Sequence, residues 1–262
     1  RHVTVVLDGS AGDELFAGYT SYPLYRRLEL ARKFVPFRTN GNFSDPRWLA
    51  FLTGPAEIIQ ARMYRDRVVG LSKIFDAGFF NRADSTRAAR RQGEIFSEVN
   101  GGSLLSGALL TDLLYNHYHN VSMLADRAGL GNSLEIRSPF IDHRLAEFAA
   151  SLPGAWKAGL WRETRVFLKK ALRGYLPDEN LDRKKLGFGH ETSRVVFKLW
   201  EPRLRRMFET GPLPPMLARA GVKEALELAL RTEASSWTHA LWFALGVTLW
   251  WTKFVRKEEM PE

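Results

Sequence analysis

The sequence predicts a mostly α-helical chain with one strand near its N-terminus. Three observations carry that expectation. Val3 to Leu7 is the only convincing strand, a β-branched run ending in a small-residue turn. Beyond it, apolar residues recur at i, i+3, i+4 and i+7. Between those stretches stand Gly, Pro and Asn clusters. With 262 residues, 45% of them hydrophobic, the chain can bury a sizeable core. No repeat or charged linker divides it, so one helical domain over residues 1–262 is expected.

Taken in order, the strand runs straight into Asp8-Gly9-Ser10-Ala11-Gly12 and then Asp13-Glu14-Leu15-Phe16-Ala17-Gly18-Tyr19. Small residues let a ligand approach the backbone, and the turn's N–H groups can face an anion. Acids just beyond suit a hard divalent cation on phosphate oxygens. The same two acids also favour a helix N-terminus electrostatically. Turns are expected at 40–46 and a helix at 57–69, followed by a basic helix from a cap at 84–86 to Val99. Asn100-Gly101-Gly102-Ser103 breaks it, and Ala108 to Tyr118 resumes helical spacing.

Asp126 to Asp142 reads as a glycine-rich, charged loop between helices. Asp142 can cap the next helix, whose Leu145, Phe148, Ala149 and Leu152 share a face until Pro153-Gly154. Glu163 to Tyr175 repeats the spacing, with Lys169, Lys170 and Arg173 as a solvated face. Three consecutive bases, Arg183-Lys184-Lys185, then precede a Gly-Phe-Gly turn that could hold phosphates. Two or three helices occupy 193–256. The apolar stretch Trp237 to Trp251 is shorter than the roughly twenty residues a membrane span needs, so a buried or interface helix is expected there.

The absence of cysteine excludes disulfides, thiolate metal sites and a cysteine nucleophile within this chain, and is compatible with a cytoplasmic location. The 38 basic and 29 acidic residues leave a net charge of +9, but the charges are scattered. Without a reading motif or a basic stripe interleaved with aromatics, nucleic-acid binding is not expected.

Together, and in this order, the three dense regions resemble the C-terminal part of the synthetase domain of glutamine-hydrolysing asparagine synthetases, which belong to the ATP-pyrophosphatase group. Asp8 through Tyr19 is similar to that family's Ser-Gly-Asp/Glu-Gly-x-Asp-Glu-Leu-Phe-x-Gly-Tyr. Asp126 through Asp142 is similar to its Asp-Arg-x-x-Met-x-x-x-Leu-Glu-x-Arg-x-Pro-Phe-Leu-Asp. Leu176-Pro177 with Arg183 through Phe188 resembles its Leu-Pro and Arg-x-Lys-x-Gly-Phe signature, and the Trp-rich ending, 241–255, is also similar.

The resemblance implies the helical part of an α/β adenine-nucleotide alpha-hydrolase-like domain that uses ATP and Mg²⁺. A carboxylate, with aspartate the first candidate, becomes an acyl-adenylate, and ammonia from a glutaminase domain outside this chain displaces AMP. On the matching positions, Asp13 is the metal ligand and Lys185 contacts the departing phosphates. Gly9 meets the nucleotide through its backbone, and Asp126 and Arg137 line the substrate pocket, with Arg127 and Glu135 as further pocket-forming or structural partners. Ser10 stands where the family has an acid, and Asp8 where it has serine. Side chains two apart in an extended segment share a face, so Asp8 is expected to supply the missing carboxylate. Glu191 is another departure, where many members have proline. A non-catalytic relative acting as a scaffold or partner is the alternative, favoured by Ser10, and homo-oligomerisation is left open. The family's Ser-Gly-Gly-x-Asp-Ser pyrophosphate loop is not found in these residues. The chain by itself is therefore expected to bind Mg-ATP weakly and to make no amide; calorimetry giving a micromolar dissociation constant overturns this.

Overall fold

The structure is a computed structural model that describes residues 3–34, 71–82, 87–99, 101, 103–183, 190–231 and 235–258. The turns expected at 40–46, the helix at 57–69, the cap at 84–86 and the stretch 184–189 lie outside them. The chain forms two compact units, Arg1–Ala61 with Ala89–Lys185, and Arg62–Ala88 with Leu186–Glu262. One boundary falls inside the helix Arg87–Val99, so no loop composition marks it.

In the first unit, strand β1 (Val5–Leu7) pairs in parallel with β2 (Glu135–Arg137), Val6 opposite Ile136. The second strand corrects the reading of 126–142 as loop alone. Its signal is the polar–apolar alternation Glu135-Ile136-Arg137, too short to stand out among charged neighbours. Helix Gly12–Phe16 follows β1 and is bounded by two left-handed alanines, Ala11 at φ 70° and Ala17 at φ 58°. Helix Tyr22–Phe34 packs against helix Leu104–Thr111, whose first turn is capped by Ser103: its hydroxyl accepts the Ser106 N–H at 3.2 Å.

That helix does not stop at Tyr118 as expected. It continues as a π-wound segment, Asp112–Ser122, and then as Met123–Leu130. Long π-wound stretches are rare and concentrate at functional sites. The apolar core beside it holds Leu15, Phe16, Ala149 and Leu152, with Phe16 edge-on to Phe140 at 6.1 Å and stacked on Phe167 at 6.2 Å. Helix His143–Ser151 begins as expected, with Asp142 Oδ1 accepting the Arg144 N–H at 2.9 Å. The helix expected over 163–175 shrinks to Val166–Leu172, because Arg165 before it is left-handed (φ 53°) and Arg173 after it is extended (φ −62°, ψ 131°). Tyr175, read as part of its apolar face, is 85% exposed.

The second unit is helical throughout most of its described residues. Helices His190–Leu199, Arg219–Arg231 and Ser235–Trp250 surround a core of Phe197, Phe208, Val222, Leu226, Leu241 and Leu245. The Trp-rich helix buries one face there, as expected, through Ala240, Leu241, Ala244 and Leu245. Among the described residues, no helix is long and apolar enough to cross a membrane.

Gly221 allows helix Arg219–Arg231 to approach helix Leu71–Ile74 closely: a Cβ there would lie 1.8 Å from the Lys73 carbonyl oxygen. Since the obstacle is backbone, Gly221→Ala is expected to destabilise the protein by about 3 kcal/mol, measured by denaturant unfolding.

Candidate active site

The parallel pairing of β1 and β2 delivers two distant loops to one place. The Asp8 N–H donates to the Arg137 carbonyl at 2.9 Å, continuing the ladder just past the end of β1. The chain then turns, and Asp8 holds the turn: its carboxylate accepts the Ser10 N–H at 3.2 Å and the Ser10 hydroxyl at 2.5 Å. Asp8 and Ser10 thus do come side by side, but through a tight side-chain-to-backbone turn and not through the extended geometry expected. From the other loop, the Ser138 hydroxyl donates to the Ser10 carbonyl at 2.5 Å across 128 residues.

Beyond these contacts opens a cavity of about 360 Å³, lined on its polar side by Asp8, Ser10, Ser122, Asp126 and Ser138. Tyr118, Met123, Ile136 and Ile141 supply its apolar side. Three of the residues expected from sequence, Asp8, Ser10 and Asp126, therefore converge. Gly9 lies in the turn between the first two, and a Cβ there would meet nothing within 4 Å. Among the described residues, none requires glycine at that position.

Arg137 behaves differently. Its guanidinium does not line the cavity; Nε lies 2.7 Å from Glu135 Oε1, and that exposed pair lowers the Glu135 pKa through the hydrogen bond first. Arg137 contributes its backbone carbonyl instead. Lys185 lies outside the described residues. Tyr118, Ser122 and Ser138 are cavity residues that sequence reasoning does not single out; the four-residue interval Tyr118, Ser122, Asp126 is the one available signal.

Asp13 is not among the residues that line the cavity; it is half-buried, with its Oδ1 3.0 Å from Arg165 Nε. Gly18 makes room for the pair, since a Cβ there would fall 1.7 Å from Asp13 Oδ1 and 2.8 Å from Arg165 Nε. Among the described residues no group of three or more His, Cys, Asp or Glu side chains could hold a metal ion. The donor chemistry at Asp13 fits magnesium in a narrower sense. Magnesium is commonly held by one or two carboxylates with the remaining positions taken by water and phosphate. Asp13 is one such carboxylate, with its Oδ1 already facing the Arg165 guanidinium.

Glu14, the second acid of the turn, has a structural task. It is 3% exposed, accepts the Tyr19 hydroxyl at 2.5 Å, and has its pKa raised chiefly by burial. Beside it, the Tyr22 hydroxyl donates to Asp112 Oδ2 at 2.8 Å. Asp112 in turn takes a hydrogen bond from Asn116 in the π-wound segment. The Glu14–Tyr19 bond ties helix Gly12–Phe16 to the turn that follows it, and the Tyr22–Asp112 bond ties helix Tyr22–Phe34 to the π-wound segment. Buried Nε2 of His117 has no hydrogen-bond partner, while its Nδ1 lies 3.1 Å from the Ser122 hydroxyl.

Two loops far apart in the sequence are thus brought by a strand pair to one cavity on a helical body. The sequence matches the asparagine synthase family over residues 1–252, and the chain belongs to that family. It is 26% identical over 276 residues to asparagine synthetase [glutamine-hydrolyzing] 1 of Bacillus subtilis strain 168, covering 100% of this chain and 42% of that protein. Asparagine synthetase [glutamine-hydrolyzing] 3 of the same organism is 50% identical over 60 residues, 23% of this chain and 10% of that protein. With asparagine synthetase [glutamine-hydrolyzing] 2 the identity is 25% over 198 residues, 71% of this chain and 22% of that protein. The chain thus spans about two-fifths of the length of the first of these relatives. No solved structure gives a significant match.

Lys157 also lies in this unit, 3% exposed, lining a small cavity of about 20 Å³ with Glu14, Leu109 and Leu113. Burial lowers its pKa from 10.5 to about 8. Between those two values the unfolded chain binds the proton and the folded chain does not, so stability rises with pH across that interval. Below pH 8 both states are charged and the burial penalty is complete. Lys157→Met is expected to stabilise the protein by about 2–3 kcal/mol at pH 7, with the gain shrinking as pH approaches 10.5. Urea unfolding of both proteins at the two pH values measures it.

Proposed function

We propose that this chain is part of an ATP-dependent amide-forming ligase that activates a carboxylate, aspartate being the first candidate. The observation that carries the reading is the convergence of Asp8 and Ser10 with Asp126 on one cavity, in a chain of the asparagine synthase family. In the first half-reaction a substrate carboxylate oxygen attacks the α-phosphorus of ATP, the bond to the β-phosphate oxygen breaks, and pyrophosphate leaves. In the second, ammonia adds to the acyl carbon, AMP departs, and one proton is lost. That ammonia comes from glutamine hydrolysed in a domain outside this chain.

Asp8 is the group that takes the proton from the attacking nitrogen. The Ser10 N–H and hydroxyl both donate to its carboxylate, fixing its orientation at the cavity wall. A serine hydroxyl is a poor base at neutral pH, but here it serves the acid beside it. That arrangement favours the enzyme over a non-catalytic scaffold, because the turn keeps a carboxylate despite Ser10. Asp126 faces the substrate from the cavity wall beyond the turn. Arg137 acts through its carbonyl, and Gly9 leaves open space beside the turn for nucleotide. Lys185 contacts the pyrophosphate being released. Asp13 would hold Mg²⁺, which when bound neutralises charge building on the phosphates; Arg165 orients the same carboxylate.

The two half-reactions can be told apart. In the full-length protein, Asp8→Asn is expected to lower amide formation by about 100-fold or more, while carboxylate-dependent exchange of pyrophosphate into ATP persists. Unchanged amide formation rules out Asp8 as the base. Absence of any carboxylate-dependent exchange in the unsubstituted full-length protein rules out the ligase.

A further inference from the structure

We infer that Ser138 is a positioning residue for this site, holding the Asp8 carboxylate in place by pinning the Ser10 peptide. The inference rests on the ligase reading for its kinetic consequence, but its geometry is independent of that reading. The turn Asp8–Ser10 is otherwise weakly held. Its backbone bond beyond the ladder, the Gly12 N–H to the Gly9 carbonyl, is long at 3.4 Å. Among the described residues, a Cβ at Gly9 would meet nothing within 4 Å. Asp8 is steered by two donors of one residue, Ser10 N–H and Ser10 O–H. Whatever fixes the Ser10 backbone therefore fixes the carboxylate.

The Ser138 hydroxyl does this. It reaches the Ser10 carbonyl at 2.5 Å and sits on the residue directly after β2. Its own position is set on both sides. The Arg137 carbonyl before it accepts the Asp8 N–H, and Pro139 and Phe140 after it begin a single turn, Pro139–Ile141. Phe140 in turn lies edge-on to Phe16 and within 3.4 Å of where a Gly12 Cβ would be. The second loop is thus anchored in the core at Phe140 and reaches the Ser10 carbonyl through the Ser138 hydroxyl.

The path runs Ser138 to Ser10 to Asp8, and all three line the same cavity. Loss of the hydroxyl leaves the Ser10 carbonyl without this donor and frees the turn to rotate, while the ladder bond and the Phe140 packing remain. The expected signature is a fall in kcat for amide formation with little change in the KM for ATP.

The full-length protein and its Ser138→Thr and Ser138→Val variants test this. The two replacement side chains are nearly isosteric, and only threonine keeps the hydroxyl. Amide formation is expected to fall about tenfold in kcat for Ser138→Val, as for loss of one oriented hydrogen bond, with Ser138→Thr restored to within about twofold. Both variants are expected to remain folded at the assay temperature, with the thermal midpoint of Ser138→Val at or below that of Ser138→Thr. Amide hydrogen exchange in a peptide spanning 8–12 is expected to be faster in Ser138→Val than in Ser138→Thr. Equal exchange in the two variants overturns the pinning. Faster exchange with unchanged kcat overturns the positioning role. If the unsubstituted protein forms no amide and no AMP, the ligase reading has failed, and the exchange comparison alone decides the pinning.

Discussion

Everything at the candidate site depends on the parallel contact between β1 and β2. Three residues from each strand are enough to set a register, because a slip of one residue would turn Ile136 outward and bring Glu135 inward. Once Val6 faces Ile136, the residues that follow both strands emerge on the same side. Asp8, Ser10 and Ser138 are those residues. Parallel strands need a long crossover between them. Here the connection includes helix Tyr22–Phe34 and the helix through Leu104–Leu130, so the crossover itself supplies Tyr118, Ser122 and Asp126 to the cavity wall.

The π-wound part of that crossover has a mechanical reason. Asp112, held by Asn116, binds inward to Tyr22, while Tyr118 and Ser122 must face the cavity. A regular helix turns about 100° per residue, and widening the winding changes which residues share a face. The segment thus serves two neighbours. Beside it lies the Glu14–Tyr19 pair, which secures a helix of only five residues whose ends are both left-handed alanines. A helix this short has little stability of its own. Its persistence comes from Leu15 and Phe16 in the core and from buried Glu14.

How much of this is legible in the sequence differs by residue, and for physical reasons. The strand expected at Val3–Leu7, which begins only at Val5, and the acidic turn stand out through an abrupt change from β-branched to small residues, a local signal. The cap at Asp142 is equally local. Strand β2 escapes notice because three residues between charged neighbours carry almost no periodicity. Tyr175 is misplaced by spacing alone, which ignores the extended Arg173 that ends the helix two residues earlier. Arg165 beside Asp13, Ser138 beside Ser10 and the burial of Lys157 are long-range facts. Nothing within a window of ten or fifteen residues encodes them.

Arg165 shows what such long-range demands do to a single position. Its backbone lies at φ 53°, where glycine and asparagine are the comfortable occupants, yet its side chain must reach Asp13 with a fixed cation. No residue satisfies both wishes without strain. The left-handed conformation costs an arginine on the order of 1 kcal/mol, a penalty met by the ion pair. Drift at this codon is consequently boxed in: replacements that relax the main chain forfeit the charge, and lysine keeps the charge but loses the planar fork. Descendants of this sequence should therefore vary at 165 only together with the acid it faces.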